Sequence, residues 1–306
     1  MEITRRELLS WAAVSAVGLG LGLDNLSRLE QALAAPGAPT VIWLQGSSCS
    51  GCSISLLNAA STPIEDVLTK KVDLAYHPDL TAAYGEAAIT SMFDAAAAAP
   101  GGFILCIEGA VPVAASGNYC IIGERNGVPL TLLTALQELG PKAKAVVAVG
   151  TCAAFGGVVK PSKVTQVRTV ADALVGRTTA PIVNLPGCPA HPDTVLGTLI
   201  TVITGGRLPL DSLRRPTAFY NTSIHSRCPR RESDEVGSIG RYGCYEEIGC
   251  RGPSTVMACP SVKWNNGRNW CVAANQACIG CAAPDFPTNP LLSGGEGGDG
   301  GDEGDD

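Results

Sequence analysis

The chain has three histidines in 306 residues, no stripe of basic residues, and no apolar run long enough to cross a membrane. Each shortage excludes something. No cysteine has a His/Asn pair placed beside it, so a cysteine nucleophile has no support. Without a basic patch there is no electrostatic footprint for nucleic acid. The formal charge is −6, but residues 1–34 carry −1 of it and residues 291–306 carry −6, which leaves the body, 35–290, at +1. The longest apolar stretch, Leu8–Leu23, is glycine-rich and 16 residues long, against the ~20 a spanning helix needs. No second apolar segment precedes the carboxyl end, so no C-terminal membrane anchor is expected.

What the chain does have is cysteine, 13 in all. Eleven of them and one histidine fall into three sets of four. The first is Cys49 and Cys52 in Cys-Ser-Gly-Cys, with Cys152 in Gly-Thr-Cys-Ala and Cys188 in Pro-Gly-Cys-Pro. The second is His225 and Cys228 in His-Ser-Arg-Cys, with Cys244 and Cys250. The third is Cys259, Cys271, and Cys278 and Cys281 in Cys-Ile-Gly-Cys. Sets of four thiolates are what cubane iron–sulfur clusters require. A zinc ribbon would want a second close cysteine pair about 15–20 residues after the first, and the next cysteine after Cys52 is the isolated Cys106. Zinc still fits the last set. An odd cysteine count argues against full disulfide pairing, and a chain of this size needs no staples. Cys106 and Cys120 are left over and read as packing residues.

The amino end reads as an export signal. Arg5-Arg6 precede the apolar stretch, and Ala32-Leu33-Ala34 offers a small-residue cleavage site. Twin-arginine export carries folded proteins. A chain that must fold around inserted clusters in a reducing compartment needs that route, because an unfolded apoprotein delivered to an oxidising space would mispair its cysteines. The expected location is the periplasm. An uncleaved signal retained as an anchor is the lesser alternative. Residues 291–306 hold seven glycines and six acids and read as a disordered acidic tail.

Between residues 40 and 205, short apolar runs alternate with helical stretches. Thr40–Gln45, Val72–Tyr76, Phe103–Ile107, Ala145–Val149 and Pro181–Leu185 read as buried parallel strands. Ser53–Ala60, Ala82–Ala98 and Leu130–Leu139 read as helices. That alternation predicts an α/β fold, a flavodoxin-like doubly wound parallel sheet over residues 35–205. Cys49 and Cys52, Cys152, and Cys188 each fall just past the carboxyl end of a strand, the crevice where open α/β sheets bind ligands. From 206 to 290 strand-like runs vanish, and Cys, Gly, Pro, Arg and Asn rise. This part is expected to be a smaller, irregular iron–sulfur domain organised by its metal sites, since ligand binding supplies folding free energy.

The stretches VIWLQGSSCSGC, IEGAVP, VGTCAAFGG, PGCPAHP, IHSRCP, GCYEEIGCRGP and WCVAANQACIGCAAPDFP occur in the order in which the small subunit of nickel–iron hydrogenases carries them, and the chain resembles that family from about Val41 to Pro287. The resemblance implies three 4Fe–4S clusters. Cys49, Cys52, Cys152 and Cys188 would hold a proximal cluster nearest the active site. Cys259, Cys271, Cys278 and Cys281 would hold a medial one, and His225, Cys228, Cys244 and Cys250 a distal one near the surface. A neutral imidazole in place of a thiolate removes one negative charge, which raises that site's potential relative to an all-cysteine set. The nickel–iron centre would lie in a separate large subunit, and the implied acceptor is a periplasmic cytochrome c. Many family members have proline where this chain has Cys271, and their medial cluster is 3Fe–4S; that form is expected here only if Cys271 is not a ligand. Cys271, VIWLQG and NYCIIGE resemble the nickel–iron–selenium subgroup. Ser48 stands where many members place a glutamate, so no proton role of that glutamate carries over.

Two other readings remain open: a freestanding multi-cluster electron carrier, and a quinone-reductase-type subunit with one proximal cluster on a similar sheet. Among single residues, His191 reads as a structural histidine and His77 carries no signal. Glu108 takes an interface role by resemblance, or caps a turn. Arg227, Arg230 and Arg231 either steer a redox partner or are simply solvated.

Overall fold

The computed structural model describes residues 39–59, 72–160 and 162–292. The export signal, and the acidic tail from residue 293 onward, lie outside the described residues. In chain order the first elements are β1 (Thr40–Gln45), α1 (Gly51–Leu57), β2 (Asp73–Tyr76), α2 (Gly85–Ala98), β3 (Ile104–Glu108), β4 (Val111–Pro112), β5 (Ile121–Arg125) and β6 (Val128–Thr131). They are followed by α3 (Leu132–Leu139), β7 (Ala145–Val149), α4 (Gly150–Phe155), β8 (Val167–Arg168), α5 (Val170–Ala173), β9 (Ile182–Leu185), α6 (Pro192–Ile203) and α7 (Cys259–Val262).

Five strands form one sheet in the order β2-β1-β3-β7-β9, every neighbouring pair parallel. Numbered among themselves they run 2-1-3-4-5, the flavodoxin-like doubly wound order. β3 and β7 are buried along their whole length, as strands covered on both faces must be. Side chains alternate between the two faces. Ile42, Leu44, Leu105, Ile107, Val146 and Ala148 meet Met92 and Ala96 of α2 and Leu132 and Leu136 of α3. Val41, Trp43, Ile104, Val147, Val149, Val183 and Leu185 meet Leu56 of α1 and Val195, Leu196 and Leu199 of α6. Cys106 is fully buried on this second face, a packing residue as expected. α3 starts at Thr131, whose hydroxyl accepts the Thr134 amide at 3.1 Å; such a cap satisfies a donor the helix itself cannot.

Two small antiparallel pairs, β4–β8 and β5–β6, escaped the sequence reading, as did α6. The pairs are short and partly exposed, and α6 follows directly on the Pro-Gly-Cys-Pro motif. Beyond α6 the chain forms turns, isolated bridges, a single 3-10 turn at His225–Arg227 and the four-residue α7. Its apolar residues do not build a separate core. Phe219, Tyr220, Ile224, Met257, Trp270 and Val272 join the cluster on the α1/α6 face of the sheet, and the Tyr220 hydroxyl donates to the Pro186 carbonyl at 2.8 Å.

Candidate metal centres

The first set is assembled by the sheet. Cys49 and Cys52 follow β1, Cys152 sits in α4 directly after β7, and Cys188 follows β9. Because the strands are parallel, their carboxyl ends lie on one edge and the three loops meet there. The thiols are close enough for each to bias the next. Burial pushes the Cys188 thiol up to about 11, and Cys152, Cys281 and Cys49 add to the rise. Burial also holds the Cys52 thiol far above its usual range, against the Ala190 amide, which donates to its sulfur at 3.4 Å. Space for these sulfurs is kept by glycine. A Cβ on Gly150 would lie 2.5 Å from Cys52 Sγ, and its φ of +85° suits glycine. Cys49 and Cys188 are exposed, so this group opens to one side of the chain.

Behind Cys52 lies a buried carboxylate. Glu108, at the end of β3, is 1% exposed. Its Oε1 accepts the Cys52 amide at 2.9 Å and the Ser53 amide at 3.3 Å; its Oε2 accepts Trp43 Nε1 at 3.2 Å and the Ser53 hydroxyl. Ser53 Oγ also lies 3.1 Å from His77 Nε2, and His77 Nδ1 accepts the Asp79 amide at 3.1 Å. His77 stacks on Trp43 with ring centroids 5.4 Å apart, and burial lowers its pKa, which favours the neutral ring. Glu108 therefore caps the Cys52 turn from the end of β3, accepting two of its backbone amides. His77 supports the same network although its sequence context gave no signal.

The third set comes together at the far side of the Cys188 loop. Burial raises the Cys259 thiol, and Cys281, Cys271 and Cys278 add to the rise. Burial pushes the Cys278 thiol up to about 12, against the Gly280 amide. Two contacts tie this group to the first. The Cys188 amide faces the Cys281 sulfur and eases its thiol down against the larger effect of burial. The Thr151 hydroxyl donates to the Cys281 carbonyl and accepts the Gly187 amide at 2.8 Å. His191 spans the same gap: its Nε2 meets the Lys263 carbonyl, and its ring packs edge-on against Trp264 at 4.6 Å. The role is structural, but Nδ1 is buried without a hydrogen-bond partner, so the ring is only half satisfied.

His225, Cys228, Cys244 and Cys250 line one small pocket. Burial raises the Cys228 thiol, and Cys250 and Cys244 add to it. Cys250 in turn acts on Cys271 and Cys278, so the third group lies between the other two. Within each set, members lie close enough to act on one another or to line one pocket. Among the described residues no three such side chains meet tightly enough for a single metal ion. Arg227 and Arg231 are exposed, whereas Arg230 is 5% exposed and is neither solvated nor free to reach a partner.

Residues 49–202 match the family model described as the 20 kDa subunit of NADH ubiquinone oxidoreductase, and residues 220–292 match that of the C-terminal part of NiFe/NiFeSe hydrogenase small subunits. The chain is 39% identical over 307 aligned residues to the periplasmic [NiFeSe] hydrogenase small subunit of Desulfomicrobium baculatum, covering 94% of this chain and 97% of that one. The crystal structure of a reduced, active form of the Ni-Fe-Se hydrogenase from the same organism superposes with a TM-score of 0.80 at 40% identity, over 84% of this chain and 100% of the other. An actinobacterial-type NiFe-hydrogenase from Ralstonia eutropha H16 superposes with a TM-score of 0.77 at 30% identity, over 86% and 84%.

Proposed function

Because the chain belongs to the small-subunit family of NiFe and NiFeSe hydrogenases, we propose that it is the electron relay of a periplasmic hydrogenase. It would pair with a large subunit that activates dihydrogen and pass electrons to an external acceptor, a cytochrome c. The observation that carries this reading is the contiguity of three ligand groups, first to third to second, through Cys188–Cys281 and Cys250–Cys278.

The donor sets fit iron–sulfur groups: four thiols in each of two groups, and three thiols with one imidazole in the other. In this reading Cys49, Cys52, Cys152 and Cys188 hold the proximal cluster. Cys259, Cys271, Cys278 and Cys281 hold the medial 4Fe–4S cluster, and His225, Cys228, Cys244 and Cys250 the distal one. Such clusters supply reversible one-electron storage when bound. The chain's own residues do the rest. Burial raises the thiols of Cys52, Cys152, Cys188, Cys228, Cys259, Cys271, Cys278 and Cys281, so iron must displace protons there, and its binding free energy then stabilises the fold. Glu108 and the Ala190 amide fix the Cys52 turn from opposite sides. Thr151 clamps the Cys281 backbone onto the Cys188 loop, which sets the spacing of first and third groups. The exposed Cys49 and Cys188 mark the side a large subunit would cover. Residues 206–290 act as the domain that carries the two later sites, and Arg5-Arg6 direct folded export.

The quinone-reductase-type reading accounts for residues 49–202 but not for the match at 220–292, which contains the two later ligand sets. A freestanding carrier would purify alone, whereas this chain should purify with a nickel-bearing partner. The relay itself is tested by His225→Ala in that complex. Hydrogen oxidation with the physiological acceptor should fall steeply, and proton–deuterium exchange, which needs no exit path, should survive. Equal loss of both would assign His225 to folding or docking; full retention of acceptor-linked activity would remove it from the ligands.

A further inference from the structure

Arg230 lies two residues after Cys228 and lines the cavity of His225, Cys228, Cys244 and Cys250. Its guanidinium sits over the Tyr242 ring at 4.6 Å and near that of Tyr245 at 5.4 Å. Nη2 donates to Asn275 Oδ1 at 2.5 Å, and Asn275 Nδ2 donates on to the Gly240 carbonyl at 3.1 Å. Nη1 is buried without a hydrogen-bond partner. Arg125 has Glu138, Arg231 has Glu232 and Arg251 has Asp285, and the other buried arginine, Arg215, has Asp211. Among the described residues Arg230 has none. A guanidinium stays charged in proteins, and a buried charge without a counter-charge is strongly unfavourable. The two tyrosine faces compensate only in part.

We propose that Arg230 is a positioning and charge-setting residue whose counter-charge is the thiolate-ligated group of the second ligand set, and that it holds that group's reduction potential up. The inference rests on the reading of His225, Cys228, Cys244 and Cys250 as cluster ligands. Three thiolates give the loaded site negative charge, and an arriving electron adds one more. A fixed cation at the wall favours the state with more negative charge. The neutral imidazole of His225 works in the same direction. Asn275 lies between Cys271 and Cys278, so the hydrogen bond that orients the guanidinium is anchored on the third group's loop. Burial protects the effect from salt, unlike that of the exposed Arg231–Glu232 pair.

The test is a redox titration of the distal paramagnetic signal in the purified heterodimer, with iron content measured alongside. Arg230→Gln should lower the distal midpoint by at least the 59 mV that corresponds to a tenfold change in one-electron equilibrium. Arg231→Gln should shift it much less, and Arg230→Lys should restore most of the native value. Asn275→Asp leaves the guanidinium in place but gives it a carboxylate; it too should lower the midpoint, and it decides the matter if Arg230→Gln fails to retain the cluster. An unchanged midpoint in either neutralising variant with full iron overturns the proposal, as does an equal shift in Arg231→Gln. Absence of any distal signal from the wild-type complex overturns the ligand reading beneath it.

Discussion

Gly150 is where the fold and the proximal site constrain each other most tightly, and Gly150→Ala makes that measurable. Two effects add. An alanine held at φ +85° costs about 1–2 kcal/mol, because its Cβ crowds the backbone in the left-handed region. The second effect is local. The new Cβ would lie 2.5 Å from Cys52 Sγ, where comfortable contact is about 3.5–4.0 Å, so the sulfur must retreat by about 1 Å. Cys52 has little room to do so. Its amide is held by Glu108, its sulfur by the Ala190 amide, and it is buried on α1. An iron–thiolate bond does not stretch by that amount, so the proximal site should lose its cluster. Iron should fall from about 12 to about 8 per chain, and the proximal paramagnetic signal should vanish while the other two remain. Gly127→Ala is the control. Its φ is +73° with nothing within 4 Å of the added carbon, so it should show the same conformational penalty in chemical denaturation and keep all its iron. A Gly150→Ala complex with full iron and an unaltered proximal signal would refute the reasoning.

Two further outcomes are expected. Cys271→Pro should convert the medial group to 3Fe–4S, with a paramagnetic signal on oxidation and about one iron fewer per chain; a stoichiometric 3Fe–4S signal in the wild type would instead remove Cys271 from the ligands. Changing Arg5 and Arg6 together to lysine should leave cluster-loaded protein in the cytoplasm, and normal export measured by cell fractionation would sink the twin-arginine reading.

The sheet was legible because its strands are continuous apolar runs bounded by turn residues. Thr40–Gln45 and Ala145–Val149 fall where the runs place them, β2 and β9 each start one residue later, and β3 is shifted by one residue at both ends. The candidate ligand sets could be proposed for a chemical reason: few residue types bind iron, and their spacings are written locally. Sequence could also place the first set at strand ends, since a parallel sheet puts every carboxyl end on one edge. What it could not supply is any relation that depends on two distant segments packing. Cys281 next to Cys188, and Cys250 next to Cys278, follow from folding residues 206–292 back onto the α1/α6 face of the sheet, and that alone puts the third set in the middle. The same holds for side chains whose role is set by burial. Glu108, His77 and Arg230 look ordinary in sequence, because a carboxylate, an imidazole or a guanidinium acquires its meaning from what excludes water around it. Local chemistry determined which residues are candidate cluster ligands, and tertiary packing decided which of them lie side by side and which charges surround them, because those relations depend on segments distant in the chain.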